Sequence, residues 1–192
     1  MPLVVPRYTL QDLDAFPDDG VRYELLDGVL LVTPAPGPLH QLVVSRINAS
    51  LTRYLGSCNL AYVFSPGVLE VEPNLRLEPD ILVIPSGEPS AGIGADTRWT
   101  AMRRWWLAVE VSGAGSRPYD RDHKTPAYLA LGVREVWRVD LRGAFPALIR
   151  SQPSGGPRRP TRNHRHRPHG PRGCRGLLGQ AGVVGRLPPS PP

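Results

Sequence analysis

The hydrophobic pattern of the chain changes its period several times, and each change predicts a new structural element. Short apolar or alternating runs predict strands at residues 21–26, 29–33, 61–65, 68–72, 81–84, 105–111 and 134–140. Apolar residues spaced three and four apart predict a helix over 38–55. A second helix is predicted from about Asp122 or Thr125 to Leu131, because Pro126 is tolerated in a first helical turn and disrupts later ones.

The order of these elements is hairpin, helix, further strands, helix and a last strand, and no internal repeat interrupts it. This order predicts an α/β or α+β fold in which helices cover a mixed β-sheet. A chain of 192 residues is long enough for one domain with a real core and too short for two comfortable ones. We therefore expect a single folded domain over residues 1–142.

The composition changes after about Gly143. Residues 151–192 contain nine Pro, eight Gly and eight Arg, and they contain no Asp, Glu or aromatic residue. Such a segment cannot bury enough apolar surface to offset its ordering entropy, so a disordered tail is predicted over 143–192. Two origins explain this tail: a reading-frame shift in GC-rich coding DNA, which we favour, or a genuine basic tail that touches nucleic acid.

The positive charge of the chain is concentrated in that tail. The whole chain has 23 Lys and Arg against 17 Asp and Glu, but residues 1–150 have 15 basic residues against the same 17 acidic ones. The body of the protein is therefore not the strongly basic surface that a tight, general DNA binder requires.

No targeting or membrane segment is visible in the sequence. The N-terminal residues lack the long apolar core of a signal peptide. No apolar run approaches the roughly 20 residues that are needed to cross a bilayer. We expect a cytoplasmic protein that makes no membrane contact.

Two isolated carboxylates stand at the ends of apolar strands. Asp80 precedes the run 81–84, and Glu110 lies near the end of the run 105–111. A buried charge is costly unless it is paired or binds a cation, and one or two carboxylates with water and a substrate phosphate are a common Mg²⁺ site. The carbonyl of Val111 is a further candidate ligand. The alternative is that both acids only mark strand ends at the solvent edge.

Lys124 is the only lysine among the 23 basic residues, and it follows Glu110 by fourteen positions. A compact amine steadies developing negative charge or orients a water molecule, whereas chance is the alternative explanation for its presence. Glu24, in a hairpin strand, is a weaker catalytic candidate because strand alternation turns most such residues to water. His40, in the first turn of a helix, is more often a surface or capping residue than a ligand.

Several short motifs occur in order over about residues 8–142. They are 23–28 (YELLDG), 33–36 (TPAP) followed by His40, 79–80 (PD), 109–112 (VEVS), 119–124 (YDRDHK) with Tyr128, and 132–137 (GVREVW). Each motif is weak by itself, but the ordered set is fairly specific. Together the motifs resemble the Uma-two family of bacterial endonucleases, within the PD-(D/E)XK restriction-endonuclease-like superfamily.

The resemblance implies a restriction-endonuclease-like fold, a DNA substrate and Mg²⁺ as cofactor, although Mn²⁺ also accepts oxygen ligands. It implies that Asp80 and Glu110 are the acids of the two metal-binding motifs. The superfamily lysine is expected two positions after Glu110, where this chain has serine, and Lys124 from the following helix fits that role. Glu24 matches a further catalytic acid, and His40 a neighbour of the site.

Our interpretation of the sequence is a Mg²⁺-dependent DNA endonuclease that hydrolyses phosphodiester bonds through a metal-activated water. Enzymes that cut both strands often work as homodimers, so a homodimer is one expected arrangement. The alternative is a catalytically inactive protein of nuclease fold that binds nucleic acid or serves as an accessory module. Divalent-metal binding without turnover would favour that alternative.

Overall fold

The computed structural model describes residues 6–33, 35–89, 92–113, 116–142 and 146–153. Its helical segments are α1 (Leu10–Leu13), α2 (Pro38–Gly56), a 3-10 turn (Trp99–Ala101), α3 (Arg117–Tyr119), a π turn (Asp120–Lys124) and α4 (Thr125–Ala130). Its strands are β1 (Arg22–Leu26), β2 (Val29–Thr33), β3 (Ala61–Phe64), β4 (Leu69–Val71), β5 (Leu75–Leu77), β6 (Ile81–Pro85), β7 (Leu107–Ser112), β8 (Glu135–Asp140) and β9 (Ala147–Ser151). No helix in these ranges has the length and apolar character to cross a membrane.

The strands form two sheets, where the sequence predicts one. The first sheet is antiparallel, in the order β2-β1-β5-β4, and the second has the order β3-β6-β7-β8-β9. In the second sheet β7 and β8 pair in parallel, whereas the other pairs are antiparallel. The predicted α+β class with helices and a mixed sheet is confirmed. The additional sheet arises because the short strand β5 pairs with both β1 and β4.

The β1–β2 hairpin turns at Asp27 and Gly28, which both have positive φ angles, of 51° and 77°. Two successive positive φ angles are typical of a type I′ turn, and Asp-Gly is one of its preferred pairs. A Cβ atom at Gly28 would also lie 3.1 Å from the carbonyl oxygen of Tyr8. The tight turn fixes the register of the hairpin, in which Glu24 pairs with Leu31.

The central strands β6 and β7 are buried along their whole length. A strand that is buried on both faces has a nearly continuous apolar sequence, which explains why neither run alternates. The core around them includes Leu69, Leu77, Leu82, Ile84, Ala108, Tyr128, Val133 and Val136. The strands β6 and β7 are antiparallel, and Ile81 pairs with Val109. Asp80, directly before β6, and Glu110, in β7, therefore lie at the same end of this strand pair.

The helix predicted after β7 is present as α4, and two further helical segments, α3 and the π turn, precede it. α4 begins at Thr125, one of the two predicted starts, and ends at Ala130, next to the predicted end at Leu131. Helical backbone already starts at Arg117 and passes through the π turn before α4. Pro126 lies in the first turn of α4, where its missing N–H is tolerated. The helical path continues upstream of this proline by widening into the π turn.

The second sheet ends with β9, which pairs with β8 from Ala147 to Ser151. The folded domain therefore extends past the expected boundary at residue 142. Most residues of β9 are exposed, as in many edge strands, so hydrophobic alternation does not reveal it. From residue 154 onward, the predicted disordered tail lies outside the described residues.

Candidate active site

The side chains that the sequence indicates for catalysis and metal binding meet at one cavity of about 490 Å³. Its lining includes His40, Asp80, Glu110, Val111 and Lys124. Glu24 lies behind this lining, in contact with Lys124. The alternative that both acids only mark strand ends at the solvent edge is wrong, because Asp80 and Glu110 are 4% and 3% exposed.

Lys124 is held between two carboxylates. Its Nζ lies 2.7 Å from Oε2 of Glu24 and 3.2 Å from Oε1 of Glu110. Burial lowers the pKa of the Lys124 amine, but Glu110 and Glu24 outweigh burial and raise that pKa, so the amine stays charged. Glu24 is 1% exposed and also accepts a 2.7 Å hydrogen bond from the backbone N–H of Glu78. The alternative that Glu24 faces water is therefore wrong, since Lys124 covers this position of β1.

Glu110 lies near three other acids of the site, Asp80, Asp120 and Glu24. Its Oε1 accepts hydrogen bonds from the hydroxyl of Tyr128 at 2.6 Å and from Lys124 at 3.2 Å. Burial raises the pKa of Glu110, Lys124 lowers it, and Asp80 and Asp120 raise it further, to about 8. The Glu110 carboxyl therefore binds a proton more tightly than an ordinary glutamate does, and a proton bound there reduces the negative charge of the site.

Asp80 accepts hydrogen bonds from the backbone N–H of Val111 at 2.8 Å and from Arg22 Nη1 at 3.3 Å. Its Oδ2 also lies 3.0 Å from Nε2 of His40. Burial raises the pKa of Asp80, but His40, Val111 and Arg22 together outweigh burial and lower that pKa, so Asp80 is ionised at neutral pH. The N–H and C=O of a strand residue point to the same edge, so the carbonyl of Val111 also faces the Asp80 side of β7.

The buried carboxyl groups of the site fit a cation. Four are buried, those of Glu24, Asp80, Glu110 and Asp120, whereas Lys124 is the one buried amine of the site among the described residues. Excess negative charge in a poorly solvated site favours a bound proton or cation. No cluster of three or more His, Cys, Asp or Glu side chains in the described ranges is arranged to hold a metal ion. The groups that could supply oxygen ligands to a cation here are Asp80 and Glu110, with the Val111 carbonyl and water, and oxygen donors are the type that Mg²⁺ prefers.

The sequence analysis assigned no role in the site to three of its polar residues: Arg22, Ser112 and Asp120. Ser112 donates a 2.8 Å hydrogen bond from Oγ to Oδ2 of Asp120, which ties the end of β7 to the π turn. Both ends of the π turn, Asp120 and Lys124, line the cavity, and a sequence pattern based on the α-helical period does not predict this arrangement. The motif at 119–124 contains Asp120 and could have indicated its role in the site, whereas no motif includes Arg22.

The protein has two β-sheets flanked by helices, and acids in or next to the strands lie beside a buried lysine. This is an α+β protein of nuclease-like fold. The chain belongs to the Uma2 (Uma-two) family, described as "Putative restriction endonuclease", whose model matches residues 10–174. One similar solved structure is that of a protein from Anabaena variabilis described as "a putative nuclease belonging to DUF820". It superposes with a TM-score of 0.55 at 17% sequence identity, over 69% of this chain and 73% of that chain. No curated protein matches this sequence.

Proposed function

We propose that this protein is a Mg²⁺-dependent DNA endonuclease that hydrolyses phosphodiester bonds through a metal-activated water. The observation that carries the proposal is the meeting of Asp80, Glu110 and Lys124 at one cavity, although they are far apart in the chain. Burying several charges in this way is a poor means of stabilising a fold, since desolvation offsets the attraction between them. Family membership supports the same class of reaction.

Oxygen atoms of Asp80 and Glu110, with the carbonyl of Val111, would hold the metal ion. When bound, Mg²⁺ would polarise the phosphoryl group and lower the pKa of a water molecule. Mn²⁺ accepts the same ligand types, and we propose it as a substitute. Asp80 is already ionised at neutral pH, whereas Glu110 must lose its proton before its carboxylate can serve as a ligand.

Lys124 provides a fixed positive charge at the cavity wall. Its amine would orient the attacking water or stabilise the negative charge that develops on the phosphate. Glu24 holds this amine at 2.7 Å, and Tyr128 holds Glu110 at 2.6 Å. Groups that are already oriented need little rearrangement during the reaction, which is the main advantage of such a site.

The proposed substrate is DNA. The body of the protein, with 15 basic and 17 acidic residues in 1–150, attracts a phosphate backbone only weakly. We propose that contacts inside the cavity hold the strand that is cut. Enzymes that cut both strands often work as homodimers, so the proposal includes a homodimer. Analytical ultracentrifugation of the full chain, with and without DNA, tests this part of the proposal.

Plasmid cleavage by the purified protein, with Mg²⁺ and with EDTA, tests the proposed function. We expect cleavage only with Mg²⁺, and we expect Asp80→Asn to lower its rate about 100-fold or more, because one metal-binding oxygen is lost. Asp122→Asn is the matched control, since Asp122 is an exposed acid that pairs with Arg121. Cleavage by Asp80→Asn at the parent's rate would contradict the mechanism. Metal binding by calorimetry without any cleavage would favour the catalytically inactive alternative.

A further inference from the structure

Arg22 is a cation of the cavity wall that the proposed mechanism does not use. It begins β1 and lines the cavity together with Asp80 and Glu110. Its Nη1 donates a 3.0 Å hydrogen bond to the backbone carbonyl of Glu78 and a 3.3 Å hydrogen bond to Oδ1 of Asp80. The Arg22 side chain is 22% exposed, so a ligand that enters the cavity can reach it.

The guanidinium of Arg22 retains unused hydrogen-bonding capacity. It has five N–H donors, and within the described residues its hydrogen bonds leave from Nη1 alone. Its Nε makes a looser ion pair with Glu78, at 3.7 Å. Lys124 differs, because its amine lies between two carboxylates and is 4% exposed. Of the Lys and Arg side chains described at the cavity wall, Arg22 is therefore the more accessible to a substrate.

The shape of the guanidinium matches a phosphate group, because its planar fork donates two parallel hydrogen bonds to two phosphate oxygens. The 3.3 Å contact with Asp80 is longer than a charge-assisted hydrogen bond of about 2.7–2.9 Å, so it orients the guanidinium without saturating it. We propose that Arg22 binds the two non-bridging oxygens of the scissile phosphate, while Asp80 and the carbonyl of Glu78 position its side chain. This inference rests on the proposed function and adds a residue that contacts the substrate.

Arg76 provides a matched control for Arg22. It lies on β5, the strand beside β1, and it pairs with the same Glu78 at 3.0 Å. Its side chain is 31% exposed, but it is absent from the described lining of the cavity. Loss of a surface charge or of the Glu78 ion pair therefore affects variants at both positions, whereas loss of a phosphate contact affects Arg22 variants alone.

DNA binding without cleavage tests the inference. Fluorescence anisotropy with a short labelled duplex, in Ca²⁺ and again in EDTA, gives the affinity at a series of salt concentrations. We expect Arg22→Gln to weaken binding about tenfold and to lower the slope of log affinity against log salt by about 1. Arg22→Lys keeps the charge, so the slope should stay while the affinity falls. Arg76→Gln should bind with the parent's slope.

Equal slopes for Arg22→Gln and Arg76→Gln would overturn the inference, and DNA cleavage by the parent would leave the proposed function standing. Absence of DNA binding by the parent in both buffers would overturn the inference and the proposed function together. Thermal unfolding of each variant identifies damage to the fold. Should Arg22→Gln unfold early, Arg22→Lys decides: an affinity equal to the parent's overturns the inference, and a lower affinity at the parent's slope supports it.

Discussion

The Glu110 carboxyl titrates far from the ordinary range of a glutamate. Burial, with the charge of Asp80 and against that of Lys124, raises its pKa from 4.5 to about 8. The folded protein therefore holds this proton more tightly than the unfolded chain does. The stability that results is complete below pH about 4.5 and is lost as the pH rises through about 8. The ionisation of Asp80 affects stability in the opposite direction. Because its pKa is lowered in the folded protein, it contributes stability that is lost only as the pH falls into the acid range.

We expect the free energy of unfolding of the metal-free protein to fall as the pH rises from about 5 to about 8, because Glu110 must ionise without a cation. Each pKa unit corresponds to about 1.4 kcal/mol. Urea unfolding in EDTA at a series of pH values measures the fall. Glu110→Gln cannot titrate and should give a flatter profile, whereas the exposed control Asp122→Asn should keep the parent's slope. An equally steep profile in Glu110→Gln would show that another group carries the proton.

The sequence analysis found the charged residues that interrupt apolar runs. It missed charged residues at positions where a strand pattern also allows a solvent-facing side chain. Asp80 and Glu110 stand out because an acid in a buried strand needs a partner, and Lys124 because it is the only lysine. Arg22 has no such signal, since an arginine at the start of a strand is compatible with a solvent-facing position. Glu24 shows the same limit, because strand alternation cannot reveal that Lys124 covers it.

At the level of elements, the start of β6 depends on a close backbone contact at Gly67. A Cβ atom there would lie 2.1 Å from Cβ of Leu82, and the N–H of Gly67 donates to the carbonyl of Pro79 at 3.1 Å. Both contacts bear on the segment that carries Asp80. Such an overlap forces the backbone or the side chain to shift, since interiors are close-packed.

We therefore expect Gly67→Ala to lower the free energy of unfolding by about 1–3 kcal/mol, the usual range for overpacking. Gly56→Ala is the control, because a Cβ atom at Gly56, the last residue of α2, meets nothing within 4 Å. That substitution should leave stability unchanged or raise it by up to about 1 kcal/mol through helix propensity. Chemical denaturation of the two variants makes the comparison. Equal changes in the free energy of unfolding for the two variants would mean that the backbone around Gly67 can shift to accept a Cβ atom at no cost in stability.

The sequence predicted the elements whose period extends over several residues. The helix expected over 38–55 is α2, and the runs at 81–84 and 105–111 contain most of β6 and β7. By contrast, β5 has three residues, too few to show alternation, although its pairing creates the first sheet. β9 lies at the edge, where backbone hydrogen bonds with β8 hold a strand that needs little apolar character.

At the level of the whole molecule, the candidate site combines groups from both sheets and two helical segments. The first sheet supplies Arg22 and Glu24, and the second supplies Glu110, with Asp80 directly before β6. The helix α2 supplies His40, and the π turn supplies Lys124. The ion pair between Glu24 and Lys124 joins residues 100 positions apart. A hydrophobic pattern is local and cannot show that side chains from distant elements meet at one cavity. The ordered set of motifs was the feature of the sequence that could indicate this meeting.

The distribution of charge along the whole chain leads to a prediction about DNA affinity. Residues 1–150 carry 15 basic and 17 acidic residues, whereas 151–192 carry eight arginines and no acid. A chain that ends at residue 153 keeps every helix and strand that the structure describes. We expect this shortened chain to bind non-specific duplex DNA more weakly than the full chain, with a smaller slope of log affinity against log salt. Each phosphate contact that is lost should lower the slope by about 0.9.

Charge and chain length must be separated for this comparison to be conclusive. A full-length variant with the eight arginines of 151–192 replaced by glutamine has the parent's length and the shortened chain's charge. If counterion release causes the difference, the slope of this variant should match that of the shortened chain. Circular dichroism checks that the proteins have the same fold. A slope equal to the full chain's in both variants would mean that these arginines do not contact DNA, and that the folded body accounts for all of the salt dependence.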